Sequence, residues 1–230
     1  MDVPLKDLKE LPDLVELKLP RRSGAAATAA ASKRLLDVLG ALCGLILSLP
    51  LILVIALAIK LDSRGPVLFT QTRLGRGGRA FRLIKFRTMY VDAEARLADL
   101  LRADAALRLE YETFHKLQAD PRVTWVGRLL RRYSLDELPQ FVNVLRGEMS
   151  LVGPRPYLPR ERRKMNGSER HILSVMPGLT GYWQVHARNG VAFEERVEMD
   201  LHYVHARSLR LDVDLLRRTV MVVLRGKHAC

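Results

Sequence analysis

An uncharged apolar run near the start of the chain limits its possible folds most strongly. From Val38 to Ile59 no residue is charged, and most residues are Leu, Ile or Val. The run is long enough to cross a bilayer as a helix, and its insertion gains roughly 6 kcal/mol. The interior Pro50 costs about 3 kcal/mol, which is less than this gain. The sequence therefore predicts that this segment enters a membrane.

The sequence is compatible with two paths of this segment through the bilayer. Basic residues flank the run on both sides, so the positive-inside rule places both ends on the same face as readily as it orients a spanning helix. The segment either spans the membrane or forms a re-entrant hairpin that breaks at Pro50, with Ser48 as a partner for the polar groups that the break frees. A cleaved signal peptide is not expected, because the small residues Ala25–Ser32 precede the run.

The charge of the chain suggests partners without choosing among them. Lys and Arg number 38 against 25 Asp and Glu, a net charge of +13. Such an excess favours polyanions, whether nucleic acid, an anionic bilayer surface or phosphorylated small molecules. Only two cysteines occur, Cys43 and Cys230, and their spacing indicates neither a disulfide framework nor a metal site.

Three regions follow from these patterns. Residues 1–32 are predicted to be an N-terminal appendage ending in a linker, 33–62 a membrane-inserted segment, and 63–230 the body of the protein. Within the body, Val67–Arg73 and Ala80–Met89 read as a β-hairpin. The glycine cluster between them favours a turn over a phosphate cradle, because it lacks the lysine and the following helix of a P-loop.

The predicted fold class is α+β. It combines the membrane segment, a small core that contains the hairpin, and amphipathic helices at the interface. Ala93–Leu117 has apolar residues at helical spacing, which predicts one amphipathic helix or a helix pair. In the second strand, period-two alternation places Lys85 and Arg87 on one face with apolar neighbours. The two cations either bind phosphate there or extend to water at the strand end.

Two adjacent carboxylates stand out further along the chain. Val126–Arg132 reads as a helix, and the spacing of Ser134 and Glu137 is that of a capping box at the start of the next helix. Taken alone, this makes Glu137 a cap. Asp136 falls in the first turn, where the helix dipole favours its ionised form. An aspartate placed in this way can bind a divalent cation, attack phosphorus, or form a surface salt bridge.

Several short motifs, in order, resemble those of the bacterial monotopic phosphoglycosyl transferases, the undecaprenyl-phosphate sugar phosphotransferases. The resemblance runs from Lys33 to the C-terminus. The matching stretches are Lys33–Asp37, Ile59–Val67, Lys85–Met89, Asp120–Thr124, Ser134–Gln140, Ser150–Pro156, Pro177–Gly181 and Phe193–Arg196.

The resemblance implies a fold and an activity. The membrane helix would be re-entrant and enter one leaflet, in the bacterial inner membrane, with the catalytic domain facing the cytoplasm. The enzyme would use Mg²⁺ to transfer a sugar 1-phosphate from a UDP-sugar to undecaprenyl phosphate and release UMP. A hexose 1-phosphate is favoured, as the initiating step of exopolysaccharide or O-antigen assembly. Membrane lipid is an expected partner and nucleic acid is not, while a homo-oligomer stays open.

The resemblance also implies residue roles. Asp136 would be the nucleophile and a metal ligand, Glu137 its functional partner rather than a cap, and Asp200 a second acid near the metal. Lys85, Arg131 and Arg155 match positions that line the family's phosphate site, and the strand pattern adds Arg87 to the phosphate-binding set. The alternative reading is a membrane-anchored basic scaffold that binds nucleic acid or anionic lipid without catalysis.

Three further features compete for a role. The pair Asp212 and Asp214 is expected to start a helix rather than to bind metal. His202 and His205 are expected on a solvated helix face, because no third ligand lies near them in sequence. Trp183 fits an interfacial anchor, a stacking platform for uridine or the core.

Overall fold

The longest element is one apolar helix at the start of the described chain. The computed structural model describes residues 24–114, 117, 120–187 and 191–225. Helix α1 extends over Gly24–Asp62. Within its Thr28–Asp62 part, the most apolar window has a mean hydropathy of 2.9, and only 11% of that window is buried within the protein. Because a core helix of a soluble protein would be mostly covered, this exposure supports insertion into a membrane.

Helix α1 continues through Pro50, so the predicted re-entrant hairpin is not confirmed. Proline removes the N–H that would bond the carbonyl of Ile46, four residues earlier. The Ser48 hydroxyl does not serve that carbonyl, since it donates to the Gly44 carbonyl at 2.6 Å. The predicted linker before the run is also wrong from Gly24 onward: its alanines are strong helix formers and make the first turns of α1. The rest of the predicted appendage, residues 1–23, lies outside the described residues.

Both halves of α1 pack against the body of the protein. In the first half, Arg34 donates to the carbonyls of Val144 and Leu145 at 2.7 and 2.9 Å. In the second half, Ile55 and Ile59 are buried in an apolar cluster. Large apolar side chains are exposed along α1 from Leu35 to Leu61, while the contacts of Arg34, Ile55 and Ile59 attach both halves of the helix to one body.

The predicted β-hairpin is confirmed. Strands β1 (Leu68–Leu74) and β2 (Ala80–Phe86) pair antiparallel, with Phe69 opposite Lys85 and Arg73 opposite Phe81. The glycine cluster forms the turn between them, a 3₁₀ segment at Arg76–Gly78. Its amide groups donate to backbone carbonyls, such as that of Gly77 to Leu173 at 2.6 Å, and are thus already used.

Short helices and a second sheet complete an α+β fold. Strands β3 (Ser150–Val152) and β4 (Gly178–Thr180) pair in parallel. The predicted amphipathic helix pair is present as α2 and α3. The helices after α1 are α2 Ala93–Ala103, α3 Ala105–Phe114, α4 Trp125–Arg132, α5 Gln140–Leu145, α6 Glu169–Ile172, α7 Tyr182–His186, α8 Phe193–Ala206 and α9 Leu209–Arg225.

The described residues form three apolar clusters, and two of them include residues of α1. The larger one joins the first half of α1 to β2, α5, β3, α8 and α9 through residues such as Ala41, Val144 and Leu215. The second joins the last part of α1 to α4 through Val126 and Leu130. The turn that carries the two carboxylates leaves the second cluster and leads into α5, which belongs to the first.

Candidate active site

A cavity of about 640 Å³ lies between the hairpin, the carboxylate turn and α9. Five of the residues that the sequence nominates share its wall: Lys85, Arg131, Asp136, Glu137 and Arg155. They come from β2, α4, the carboxylate turn and the loop after β3, although they are separated by up to seventy positions in the sequence. The fold therefore joins an acidic pair with three cations in one cavity.

Two leucines hold the carboxylates in place. The turn Leu135–Glu137 is a single 3₁₀ turn, and Leu135 and Leu138 on either side of the carboxylates pack onto the cluster of α1 and α4. Asp136 is only 8% exposed, yet it lines the cavity together with Glu137. Burial of the flanking leucines thus fixes the direction of the acids between them.

The predicted capping box is wrong. Ser134 has the left-handed backbone conformation (φ 55°, ψ 24°), its side chain makes no capping hydrogen bond, and the next α-helix begins only at Gln140. A non-glycine residue in this region costs about 1 kcal/mol, and such strain is concentrated at functional sites. Glu137 therefore does not cap the start of an α-helix.

The hairpin supplies a cation that sequence reasoning missed. In an antiparallel pair, residues directly opposite each other share a face, so Arg73 on β1 lies on the same face as Leu83 and Lys85 on β2. All three line the cavity. One Arg73 amine donates to the Pro156 carbonyl at 2.9 Å, while its buried Nε has no partner among the described residues. Strand alternation combined with the hairpin register was the signal that could have found it.

Burial controls the electrostatics of the acids. Desolvation raises the pKa of Asp136, and the positive charges of Lys85 and Arg131 oppose that rise. Burial, followed by repulsion from Asp136, raises the pKa of Glu137 to about 7. This differs from the sequence expectation for Asp136, because no helix starts there to stabilise its charge. The two acids therefore repel each other in a partly desolvated site, and the neighbouring cations favour the ionised form of each acid.

The cations are destabilised by the same burial. Desolvation lowers the pKa of Lys85, and it lowers that of Arg73 to about 10 with a further contribution from repulsion by Arg155. Lys85 also lies over the ring of Phe69, at 5.7 Å from its centroid. Buried cations are stabilised by anions. A bound polyphosphate would supply the negative charge that this cluster lacks.

Asp200 holds the loop that carries Arg155. Its side chain is fully buried, and Oδ2 accepts from the Arg155 amide at 3.0 Å and from the Tyr157 hydroxyl at 2.8 Å. Burial raises the pKa of Asp200 to about 7. The same loop is fixed at Gly153, where any added Cβ would meet the Met176 carbonyl at 2.5 Å. The position of Arg155 at the cavity thus depends on a buried acid.

Arg87 does not join the cavity, which corrects its predicted phosphate-binding role. It follows β2 directly, and its guanidinium donates to the carbonyls of Arg64 and Ser63, each at 2.7 Å, and to the Ser63 hydroxyl at 3.0 Å. These groups follow the end of α1. Because the strand ends at Phe86, the alternation that places Lys85 at the cavity no longer applies to Arg87.

The donor set fits Mg²⁺ only if a substrate supplies ligands. Within the part of the chain that the structure describes, no three Asp, Glu, His or Cys side chains converge. Asp200 is turned toward Tyr157 and does not line the cavity, so its predicted place near the metal is not supported. Mg²⁺ is commonly held by one or two carboxylates plus substrate phosphates. Asp136 and Glu137, whose mutual repulsion a cation would relieve, meet that description.

The structure also gives the environment of the other residues that the sequence offered as candidates. Asp212 lies in the first part of α9, as expected, where it accepts from Lys33 at 3.1 Å and from the Tyr203 hydroxyl at 2.8 Å. His202 and His205 lie on α8 without a metal-binding cluster among the described residues. Trp183 lines the cavity, with the guanidinium of Arg155 5.7 Å from its ring centroid.

A carboxylate pair that faces cations lies beside an exposed apolar helix, and such a cavity is chemically suited to anionic, phosphate-bearing ligands. The sequence profile of the family described as bacterial sugar transferase matches residues 28–226. The chain belongs to this family. The match includes α1 from Thr28 onward and every residue of the cavity described above.

Named relatives agree with this assignment. The chain is 40% identical to the exopolysaccharide production protein ExoY of Sinorhizobium fredii, over 89% of this chain and 91% of that protein. It is 42% identical to the UDP-galactose-lipid carrier transferase of Erwinia amylovora and to the undecaprenyl-phosphate galactose phosphotransferase of Salmonella typhimurium, each over 86% of this chain. It spans only 41% of the length of each of the last two proteins.

Proposed function

We propose that the protein transfers a sugar 1-phosphate from a UDP-sugar to undecaprenyl phosphate through a covalent aspartyl intermediate. The observation that carries this proposal is the placement of Asp136 and Glu137 in one cavity with Lys85, Arg131 and Arg155. Relatives named as undecaprenyl-phosphate galactose and glucose phosphotransferases support this acceptor and favour a hexose as the sugar. The reaction would begin the assembly of an exopolysaccharide or O-antigen.

In the first step, a carboxylate oxygen of Asp136 attacks the β-phosphorus of the UDP-sugar. A new bond forms between this oxygen and phosphorus, the bond from phosphorus to the bridging oxygen breaks, and UMP leaves with that oxygen and its electron pair. In the second step, a phosphate oxygen of the lipid attacks the same phosphorus and Asp136 departs as a carboxylate. This is nucleophilic catalysis in two displacements, each easier than a direct transfer.

The surrounding side chains favour these steps. Lys85 and Arg131 favour the ionised nucleophile, since both lower the pKa of Asp136 against the effect of burial. Together with Arg155 they oppose the charge that gathers on the phosphate oxygens, and such fixed charges act strongly in a site with little water. Mg²⁺ held by Asp136, Glu137 and the diphosphate would neutralise part of the substrate charge.

The membrane placement is part of the proposal. Both halves of α1 contact the same body, which supports a placement with both ends of the helix, and the catalytic domain, on the cytoplasmic side of the bacterial inner membrane. A straight crossing would take one of these two docked ends to the opposite face, away from the body to which both are fixed. The basic flanks of α1 favour the same placement.

Replacement of Asp136 by Asn tests the mechanism. The Asn side chain has nearly the same shape but is a very poor nucleophile, so we expect UMP release to fall at least about a thousandfold. Labelled donor should leave a phosphosugar adduct on the wild-type protein and none on this variant. The measurements are UMP release in the presence of undecaprenyl phosphate and Mg²⁺, and the mass of the intact protein.

Asp214→Asn is the matched control, because Asp214 is a partly exposed aspartate whose partner is Arg218, at 2.8 Å. This variant should keep the activity of the wild type. Retained turnover in Asp136→Asn would reject the covalent mechanism. Salt-sensitive binding of anionic lipid or nucleic acid that ignores Asp136, without any UMP release, would instead support a binding scaffold.

A further inference from the structure

The cavity has two chemically different halves. The half toward the hairpin carries the acids and cations described above. The other half is formed by α5, β3, α7 and α9 and contains no charged side chain among its described lining residues. Its apolar members are Phe141, Leu151, Val185, Leu216, Val220, Val222 and Val223. A ligand that fills both halves must therefore join a charged group to an apolar one.

The apolar half touches the membrane helix. Phe141 packs so closely on Gly44 that an added Cβ there would lie 2.6 Å from its ring. Leu151 is as close to Gly40, one turn earlier on α1, with a Cδ1 that would lie 2.5 Å from an added Cβ. These two side chains face the cavity and contact α1. An apolar surface thus continues from the helix that enters the bilayer to the carboxylate site.

Helix α9 closes this apolar half from the opposite side. Leu216, Val220 and Val223 follow one another at spacings of four and three residues, so they lie on one face of the helix. Thr219 on the same face is engaged with the Thr180 hydroxyl at 2.8 Å, which ties α9 to β4. Val220 nonetheless stays 59% exposed. An exposed valine in a cavity wall is available to contact an apolar ligand.

We infer that this apolar wall, with Val220 at its exposed part, binds the first isoprene units of the lipid acceptor and guides its phosphate to Asp136. The inference rests on the proposed function and extends it, because it names the surface that recognises the hydrocarbon chain. An isoprenoid chain is uncharged and apolar, as this wall is, and it enters from the bilayer, where the wall begins. Trp183, Gln184 and Thr219 add polar atoms beside this wall, but a nucleotide or sugar would leave the seven apolar side chains without a ligand of matching polarity.

The test compares Val220→Asn with Met221→Asn. Met221 is also 59% exposed and is adjacent on α9, but it does not line the cavity. Both substitutions place the same weaker helix former in the same helix, so their effects on folding should match. We expect Val220→Asn to raise the KM for undecaprenyl phosphate roughly tenfold, which corresponds to losing part of one apolar contact. Met221→Asn should leave this KM near the wild-type value.

The acceptor-independent step separates this inference from the proposed function. Formation of the phosphosugar adduct from the UDP-sugar alone should be unchanged in both variants. The increase in KM should persist with a short-chain prenyl phosphate in detergent, where partition into a bilayer plays no part. Equal KM values in all three proteins, or equal increases in both variants, would overturn the inference. Absence of the adduct in the wild type would reject the proposed function itself.

Discussion

Asp200 shows how one buried acid positions a residue of the site through a hydrogen bond to its backbone. It receives a hydrogen bond from the Arg155 amide and another from Tyr157, while its second oxygen, Oδ1, is buried without a partner among the described residues. A buried oxygen that lacks a donor favours the protonated acid. The burial that positions Arg155 therefore makes the fold sensitive to pH.

The pH dependence of stability tests this role. The pKa of Asp200 is raised from 3.8 to about 7, so the folded state binds more protons than the unfolded chain between these values. Stability therefore falls as the pH rises through this window, by on the order of a few kcal/mol. Asp200→Asn keeps an oxygen acceptor but cannot titrate. We expect the melting temperature of this variant, measured in detergent, to depend less on pH between about 4 and 7.

Some pH dependence should remain in Asp200→Asn, because Glu137 titrates in the same window with the same sign. Asp120→Asn is not a suitable control, since Asp120 is ion-paired with Arg122 at 2.7 Å. Asp99→Asn is better suited, because Asp99 is 72% exposed and its ion pair with Arg102, at 2.9 Å, lies in solvent, whereas the pair of Asp120 and Arg122 is buried. An unchanged slope in Asp200→Asn would contradict a raised pKa at this position.

At this scale the sequence predicted the site residues unevenly. Asp136 and Glu137 were accessible because they form part of a continuous motif, and Lys85 because strand alternation extends to it. Arg87 obeys the same alternation on paper, but the strand ends one residue earlier. Arg73 requires the register of the hairpin, which no single strand contains. Long-range pairing thus separated the cations that reach the cavity from those that do not.

Among the elements, the end of α1 depends on Arg87. The last carbonyls of a helix have no partner within it, and here three hydrogen bonds from one buried guanidinium meet the residues just beyond Asp62. Gly65 allows this approach, because a Cβ at that position would collide with the guanidinium. Arg87 therefore joins the membrane helix to the hairpin.

Substitution of Arg87 by Met should lower stability, whereas Lys85→Met should lower activity. Loss of the guanidinium leaves buried carbonyls without donors, for which we expect a cost of about 2–5 kcal/mol, seen as a lower melting temperature in detergent. Lys85→Met removes a cation from the cavity and should reduce UMP release about a hundredfold or more while the melting temperature holds. If Arg87→Met kept the wild-type melting temperature but lost UMP release, the result would support the phosphate-binding role that was predicted from the sequence.

The helices and strands were predicted where local patterns decide them. The hairpin and the helix pair α2 and α3 follow from turn chemistry and periodicity, and the helix predicted at Val126–Arg132 is observed as α4 with a start one residue earlier. The capping box at Ser134 failed because Leu135 and Leu138 pack onto α1 and α4, and this packing imposes a 3₁₀ turn. Contacts with distant elements overrode the local signal there.

For the whole molecule, the docking of both ends of α1 predicts that they lie on one side of the membrane. Thr28→Cys and Arg64→Cys, each made with Cys43 and Cys230 replaced by Ser, would place single thiols at the two ends. We expect a membrane-impermeant maleimide to label neither thiol in spheroplasts and both in inverted membrane vesicles. Labelling of one of them from outside would establish a spanning helix and contradict the proposed placement.

One ionic network joins helices that are synthesised at different times. Lys33 on α1 bonds Asp37 at 2.7 Å and Asp212 on α9 at 3.1 Å, and Asp37 also accepts from Leu151 of β3. The ribosome makes α1 long before α9, so Lys33 has Asp37 of the same helix as its partner first, and its contact with Asp212 forms only after α9 is made. Emergence of α9 from the ribosome would then complete this network and join α9 to α1.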